Sequence, residues 1–195
     1  MSMKSKSDLK DVFNGLSSVL YQSTNVDMSS GTFALTPEYD LPVTVDTLKI
    51  TQDDPTINHY KIVGIDGDWT SSSTVGDTTF QFTVPTKHTD VLKLAYGTSA
   101  VKEITSATIN TGDADIDNES LGYEGVALEL KKKKVTGTFV LVDEEKNNLF
   151  VMANVAVYAK ILYENPSTEP VAVQFTGTIE GAGKYSLAWL KKKSS

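Results

Sequence analysis

The residue types that carry most enzyme chemistry are scarce in this sequence. Its 195 residues include two His and no Cys, and all 18 basic residues are Lys, so the chain has no Arg. The absence of Cys excludes a disulfide framework, a thiol nucleophile and a thiolate metal site. Bidentate phosphate contacts and the reading of guanine edges both depend on Arg. The composition therefore favours a non-enzymatic protein and argues against sequence-specific DNA binding.

One acidic run has the spacing of a metal site. Asp113, Asp115 and Asp117 alternate, and Glu124 is the twelfth residue counted from Asp113. A calcium EF-hand loop takes oxygen ligands from its first, third, fifth and twelfth positions. However, Asn118 occupies the position of the turn-forming Gly, and the preceding segment predicts a strand instead of a helix. We interpret the run as a solvated acidic loop, with calcium as a minor alternative and no cofactor expected.

Two hydrolase arrangements are open to the remaining residues. A Ser–His–acid triad would have to use His59 or His88, and neither lies near a nucleophile-elbow pattern. The adjacent carboxylates Asp53–Asp54 and Glu144–Glu145 could serve a glycosidase only if the fold brought two of them together across a sugar. We therefore expect no enzyme, with a hydrolase as the third alternative.

Charge is unevenly distributed along the chain. Residues 1–130 contain 8 Lys and 19 acids, a net charge of −11, whereas residues 131–195 contain 10 Lys and 6 acids, a net charge of +4. The runs Lys131, Lys132, Lys133, Lys134 and 191–193 could contact phosphate, but Lys without Arg supports only weak, salt-sensitive binding. An acidic part and a basic part could instead attract each other in neighbouring copies of the chain.

The N-terminal region predicts an amphipathic helix over residues 8–21. Ser7 is a suitable N-cap and Asp8 suits the helix dipole. Apolar residues recur at helical spacing and form one stripe, which must be buried on the chain itself or on a neighbouring copy. The stripe consists of Leu9, Val12, Phe13, Leu16, Val19 and Leu20.

From residue 31 onward, alternation and β-branched residues predict strands. We expect one short helix through residues 91–94, capped by Thr86 or Thr89 and ended by Gly97. The fold class is all-β, a sandwich or partial barrel with this flanking helix and an N-terminal amphipathic helix or arm. We divide the chain into an arm, 1–30, and a β-sandwich domain, 31–195. Strands are predicted near 42–51, after Pro55 through Ile65, and at 79–84, 100–110, 123–130, 135–142, 149–163, 171–175 and 184–190.

Targeting signals are not expected. Asp8, Lys10 and Asp11 interrupt any apolar stretch near the N-terminus, which argues against a secretory signal. No window approaches the ~18 consecutive apolar residues of a membrane span. We expect synthesis and use, or assembly into something larger, in a cytoplasm.

Two segments carry a family resemblance. VMANVAVYAKILYENPSTEPVAVQFTGTIEGAG (151–183) resembles the C-terminal part of siphophage major tail tube proteins, in which a long strand, a Pro-containing loop and a V-x-F-T-G-T strand close the domain. TTFQFTVPTKHTDVLKLAYG (78–97) is similar to the family's strand followed by a lone flanking helix. These two segments contain 53 of the 195 residues, within a resemblance that spans about half of the chain.

The resemblance implies a virion structural protein. Family members are β-sandwiches that form homohexameric rings, which stack into the conduit for genome DNA and join other tail proteins. An N-terminal arm and a long loop lock successive rings, and here Asp66–Asp77 would be that loop. Strands 135–142 and 149–163 would belong to the inner sheet. The candidate subunit interface comprises Leu9, Val12, Phe13, Leu16, Asp66, Asp68, Trp69, Asp77, Lys131, Lys132, Lys133 and Lys134.

A binding module remains the alternative function. A non-catalytic β-sandwich could bind glycan or protein, or form a decoration or baseplate part of a virion. Trp69 and Trp189 could each stack on a sugar, although a core or interface anchor is the more usual role of a Trp.

Overall fold

The computed structural model describes residues 12–44, 46–113, 115–117, 122–164, 168–181 and 185–193. The described residues form a mostly β structure with one α-helix, α1 (Thr89–Tyr96), followed by a 3-10 turn at Thr98–Ala100. The strands are β1 (Ser18–Gln22), β2 (Tyr39–Leu41), β3 (Lys49–Gln52), β4 (Thr56–Tyr60), β5 (Thr70–Thr74), β6 (Thr78–Val84), β7 (Val101–Ala107), β8 (Tyr123–Leu128), β9 (Val135–Val142), β10 (Asn148–Leu162), β11 (Ala172–Ile179) and β12 (Leu187–Lys191).

Strand β10 joins two halves of one large antiparallel sheet. Its first residues, 148–152, pair with β12 on one side and β9 on the other, and β9 pairs in turn with β1 and β1 with β2. Its last residues, 155–162, pair with β11, followed by β6 and β3. The register shifts between Met152 and Val155, where Asn154 has a positive φ of 56°. Such a bulge bends a strand, and β10 thereby contributes to both halves.

The inner faces of the two halves pack against each other around an aromatic core. Phe139 on β9 meets Phe80 and Phe82 on β6, with ring centroids 5.2 and 5.6 Å apart. Phe82 stacks on Phe175 at 4.9 Å. These four rings are fully buried, and α1 adds Leu92 to the same cluster. The predicted all-β sandwich is confirmed.

A second apolar cluster covers the outer face of the β12–β10–β9–β1 half. Val26 and Met28, from the segment after β1, are buried against Val140 and Val151. Partly buried Phe33 adds to this cover. The outer face of this half is thus closed by the chain itself.

The predicted helix over residues 8–21 is wrong for all of its described residues, 12–21. Ser18–Gln22 is strand β1, and no helix occurs at 12–17. Val19 and Tyr21 point into the main core while Leu20 packs in the second cluster, so the apolar residues serve two faces of a strand. Pairing with β9 and β2 outweighs local helical spacing. Leu9 and the rest of 1–11 lie outside the described residues.

Three further expectations change. The strand predicted at 42–51 is limited to Lys49–Gln52, and the strand after Pro55 ends at Tyr60, so Ile62–Ile65 is a turn. The N-cap of α1 is His88, whose Nδ1 accepts a hydrogen bond from the backbone N–H of Asp90 at 3.3 Å. Gly97 ends the helix as predicted. Among the described residues, no helix is long and apolar enough to cross a membrane.

Candidate assembly surfaces

The four acids with calcium-like spacing are not brought together. Asp117 turns its carboxylate onto its own loop, where it accepts hydrogen bonds from Thr111 and from the backbone N–H of Gly112. These bonds, led by the one from the Thr111 backbone, lower the pKa of Asp117. Glu124 lies on β8. Within the described part of the chain, no group of three or more His, Asp or Glu is arranged to hold a metal ion.

Both histidines have local roles in separate elements. His59 lies on β4, where its Nδ1 contacts the carboxylate of Asp68 across the same hairpin and its cross-strand partner is Ser71. His88 caps α1. Each imidazole is therefore engaged by a neighbour within its own element.

The lysine run before β9 is largely paired within the chain. Lys131 contacts Glu129 at 2.6 Å, and Lys134 contacts Glu180 at 2.6 Å. The hydrogen bond with Glu180 raises the pKa of Lys134. The Nζ of Lys133 donates to the carbonyl oxygen of Leu94 at 3.3 Å. Intrachain partners thus occupy three of the four predicted interface lysines.

The most exposed element is the hairpin of β4 and β5, which we call the ribbon (residues 53–77). It continues the β3–β6 pair beyond the sheet, since the N–H of Asp53 donates to the carbonyl oxygen of Asp77 at 2.9 Å. Every residue from 51 to 75 is exposed. The ribbon contains five acids and one Lys, for a net charge of −4. It contributes no side chain to the core.

The tip of the ribbon is apolar, which is unusual for an exposed turn. The N–H of Ile65 faces the carbonyl oxygen of Ile62 at 3.5 Å, and Gly64 adopts a φ of 90°. Val63 between them is completely exposed. Exposed turns are dominated by Gly, Pro, Asn, Asp and Ser. The sequence interpretation placed these aliphatic residues in a strand, although Gly64 and Gly67 in the same stretch were a signal for a turn.

The predicted interface residues occupy different parts of the surface. Asp66, Asp68 and Trp69 lie on the ribbon and Asp77 at its base. Phe13 and Leu16 are partly buried and pack against the core, whereas Val12 is exposed.

An exposed aromatic side chain, Trp189, lies on β12 near the C-terminus. Trp189 contacts Phe150 and Phe13, with ring centroids 4.4 and 6.0 Å apart, and remains 69% exposed. Its ring is therefore anchored by two neighbours while one side stays open to solvent.

A cavity of about 680 Å³ opens at the end of β6 that is remote from the ribbon. Leu92 of α1, Val126 of β8 and Val173 of β11 line its interior. Ile161 and Val171 also line it and are 43% and 48% exposed. The volume lies in the range of small-ligand sites. The lining combines these apolar side chains with threonines and with the charged residues Lys87, Glu103 and Glu124.

The outer face of the β10–β11–β6–β3 half is mostly polar and accessible, although Thr83 and Ala156 on it are buried. Cross-strand register places its side chains in rows on the side opposite the buried Phe rings. Threonine and glutamine dominate, with Lys49 and Lys160 as the only charges on these rows of the described strands. The rows are Thr51, Thr79, Thr178 and Ala156; Lys49, Gln81, Thr176 and Tyr158; Thr83, Gln174 and Lys160.

Comparison with known proteins does not assign the chain to a family. No protein-family model matches the chain, and no curated protein matches it with significance. The ribbon, the cavity and the polar face are therefore the features of the molecule that bear on its function.

Proposed function

We propose that this chain is a virion structural protein, the major tail tube subunit of a bacteriophage, which self-assembles into stacked hexameric rings that conduct DNA. The observation that carries the proposal is the ribbon, an exposed hairpin with an apolar tip on an otherwise well-packed sandwich. The resemblance of residues 78–97 and 151–183 to siphophage tail tube proteins supports the same function.

The energetics of the ribbon favour a partner. An isolated two-stranded hairpin is marginally stable in water, and the ribbon gains no burial from its own sandwich. Burial of an aliphatic side chain contributes about 1.5–3 kcal/mol. Ile62, Val63 and Ile65 would gain this energy only against another molecule. A second copy is always present at the required concentration in a self-assembling particle.

The polar outer face suits the wall of a conduit. It carries no acid and two Lys on the described strands, so phosphates find few fixed charges to bind. The outer face of the other half is closed by Val26, Met28 and Phe33. We therefore assign the C-terminal half of β10, with β11, β6 and β3, to the inner sheet, in place of β9.

Ring closure would remove open sheet edges. Strand β3 pairs on one side only among the described strands, and β2 does the same at the other margin. Open edges invite pairing with another chain, and closure into a common barrel eliminates them. Each subunit would then contribute its half-sheet to a continuous wall.

Charge would contribute to the contacts between rings. The ribbon is acidic, and the runs 131–134 and 191–193 are basic, although Lys131, Lys133 and Lys134 also have intrachain partners. Opposite charges across an interface weaken as salt increases. We expect rings to separate at high salt before subunits unfold, as measured by sedimentation alongside circular dichroism.

Electron microscopy of the purified protein tests the proposal. Hollow tubes or six-fold rings are expected in negative stain at high protein concentration. A species that sediments as a monomer at every concentration and salt level would rule the proposal out. Circular dichroism of the same sample shows whether the chain is folded. A folded monomer means that assembly has failed, whereas an unfolded chain means that folding has failed.

The exposed Trp189 favours one second candidate, a glycan-binding virion component. Its ring is anchored by Phe150 and 69% exposed, the arrangement of a stacking platform. Binding on a glycan array that is lost in Trp189→Ala and kept in Trp69→Ala, in a protein that forms no tubes, would favour this candidate.

A further inference from the structure

We propose that the apolar tip of the ribbon docks into the 680 Å³ cavity of a second copy of the chain. The inference rests on the proposed self-assembly and names the surface that receives the ribbon. It starts from the placement of the two features on β6. The ribbon joins β6 at its first residue, Thr78, and the cavity begins just after its last, Val84, at Thr86 and Lys87.

This placement makes the contact head-to-tail. A copy displaced along the direction of β6 brings its ribbon toward the cavity of its neighbour, while its own cavity stays free for the next copy. Such a heterologous contact repeats without limit and builds a stack. The ribbon extends about ten residues beyond the sheet, at most roughly 33 Å at 3.3 Å per residue. That reach is sufficient to cross from one subunit into the next.

The chemistry of the two surfaces matches. The tip offers Ile62, Val63 and Ile65, all exposed, and the cavity offers exposed Ile161 and Val171. Contact would bury apolar surface on both sides, which is favourable in proportion to its area.

Charges at the margins also have both signs. Lys61 and Asp66 flank the tip, and Lys87 and Glu124 line the cavity. None of these four forms an ion pair with another residue in the part of the chain that the structure describes. Lys61 can therefore pair with Glu124 and Asp66 with Lys87 when the tip is seated.

Cysteine cross-linking tests the contact, because the chain has no Cys of its own. Val63→Cys is combined with Val171→Cys, and separately with Glu124→Cys, under mild oxidation. A disulfide forms only when the two Cβ atoms come within about 4.5 Å. Each subunit then carries a thiol at both ends of the contact, and we expect a ladder of trimers and larger species on a non-reducing gel. Val63→Cys alone should stop at dimers.

The matched control directs the same tip thiol to an exposed aliphatic residue on another surface. Val63→Cys with Leu187→Cys should give no ladder, because Leu187 is exposed but does not line the cavity. A ladder with Leu187 and none with Val171 or Glu124 would overturn the inference.

Assembly measurements supply a second readout in folded variants. Val171→Asp should raise the concentration at which tubes form at least tenfold, because it places a charge against the apolar tip. Val75→Asp makes the same change at an exposed ribbon valine outside the tip and should leave that concentration within twofold. Equal effects of the two variants would contradict docking in the cavity.

The outcomes separate this inference from the proposed function. Tubes in the microscope without any ladder would overturn the docking and leave the tube function intact. A ladder without tubes would support the docking and remove the function. Flotation of the protein with phosphatidylcholine vesicles, lost in Val63→Ser and without a ladder, would assign the tip to a lipid surface and overturn the inference.

Discussion

Two antiparallel strand pairs in this protein differ in burial: one is covered on both faces and the other is exposed. The β9–β10 pair lies at the centre of the sandwich, with Phe139, Val140, Val151 and Met152 buried. The β4–β5 pair has ten strand residues and none buried. The β4–β5 register is unbroken and the β9–β10 register is broken by the bulge between Met152 and Val155. Among the described residues, however, only β9–β10 has sheet neighbours and two covered faces. The difference shows that the described part of the sandwich packs without the ribbon, and that the ribbon gains no burial from it.

The largest effect should come from truncating the centre of the core. Phe139→Ala removes ring contacts with Tyr21, Phe80 and Phe82 and should lower the free energy of unfolding by about 3–5 kcal/mol. Trp69→Ala, on the ribbon, should change it by less than about 0.5 kcal/mol. Urea unfolding of assembly-free protein measures both. A similar loss in the two variants would contradict the division between core and ribbon.

A smaller effect should follow from adding one methyl group between strands. A Cβ at Gly177 on β11 would overlap the backbone of Ala156 and Val157 on β10. Gly177→Ala should therefore cost about 1–3 kcal/mol by overpacking. Gly125→Ala is the matched control, because a Cβ there meets open space. Thermal unfolding should separate the two variants; coincident melting curves would mean that β10 and β11 are less closely packed.

Tyr21 gives a pH-dependent test of the same core. Its hydroxyl donates to the carbonyl oxygen of Thr136 at 2.9 Å, and burial, followed by the charge of Glu38, raises its pKa to about 12. The folded state thus holds the phenol proton more tightly than the unfolded chain does. The contribution to stability is present below pH ~10 and is lost as the pH rises toward 12.

Tyr21→Phe isolates this contribution. The variant should lose about 1 kcal/mol at neutral pH, the net value of one hydrogen bond. The wild-type protein should lose stability between pH 10 and 12 more steeply than the variant, in urea unfolding at several pH values. Parallel pH profiles would show that Tyr21 does not hold its proton in this way.

Most strands of the sandwich were predictable because they have a clear local pattern, whereas β1 was assigned to a helix and β2 was not predicted. The strand predicted at 135–142 has the same bounds as β9. Phe80, Phe82 and Val84 alternate with polar residues, and this alternation predicted the strand that is observed as β6. The apolar stripe near the N-terminus led to the wrong prediction of a helix. Val19 and Leu20 fit a helical period, but they also fit the two opposite faces of a strand. Only pairing with β9, more than a hundred residues away, distinguishes these structures.

The candidate surfaces were less predictable than the fold. Ile62, Val63 and Ile65 suggested a strand, since an apolar tip contradicts ordinary turn chemistry. The cavity combines residues from α1, β8 and β11, and no local pattern reports that proximity.

The buried Asp143 accepts hydrogen bonds from the N–H groups of Asn147 and Asn148. Although burial opposes it, these bonds hold its pKa below the usual range.

The smallest effect on stability should come from the largest change in sequence. Residues 54–76 can be replaced by Asn-Gly, a two-residue hairpin loop that joins Asp53 to Asp77. The sandwich keeps its core because every residue from 51 to 75 is exposed. We expect the free energy of unfolding to stay within about 0.5 kcal/mol of the wild-type value. If the ribbon joins successive rings, as we propose, tubes should be absent at every concentration.

The matched control for this deletion keeps the length of the ribbon and removes only its apolar tip. Ile62→Ser, Val63→Ser and Ile65→Ser together leave β4 and β5 and their acids in place. If apolar contact drives stacking, this variant should fail to form tubes as completely as the deletion does. Tubes from the serine variant but not from the deletion would assign stacking to the acidic flanks of the ribbon. Tubes formed by the deletion variant would show that the ribbon has no part in assembly.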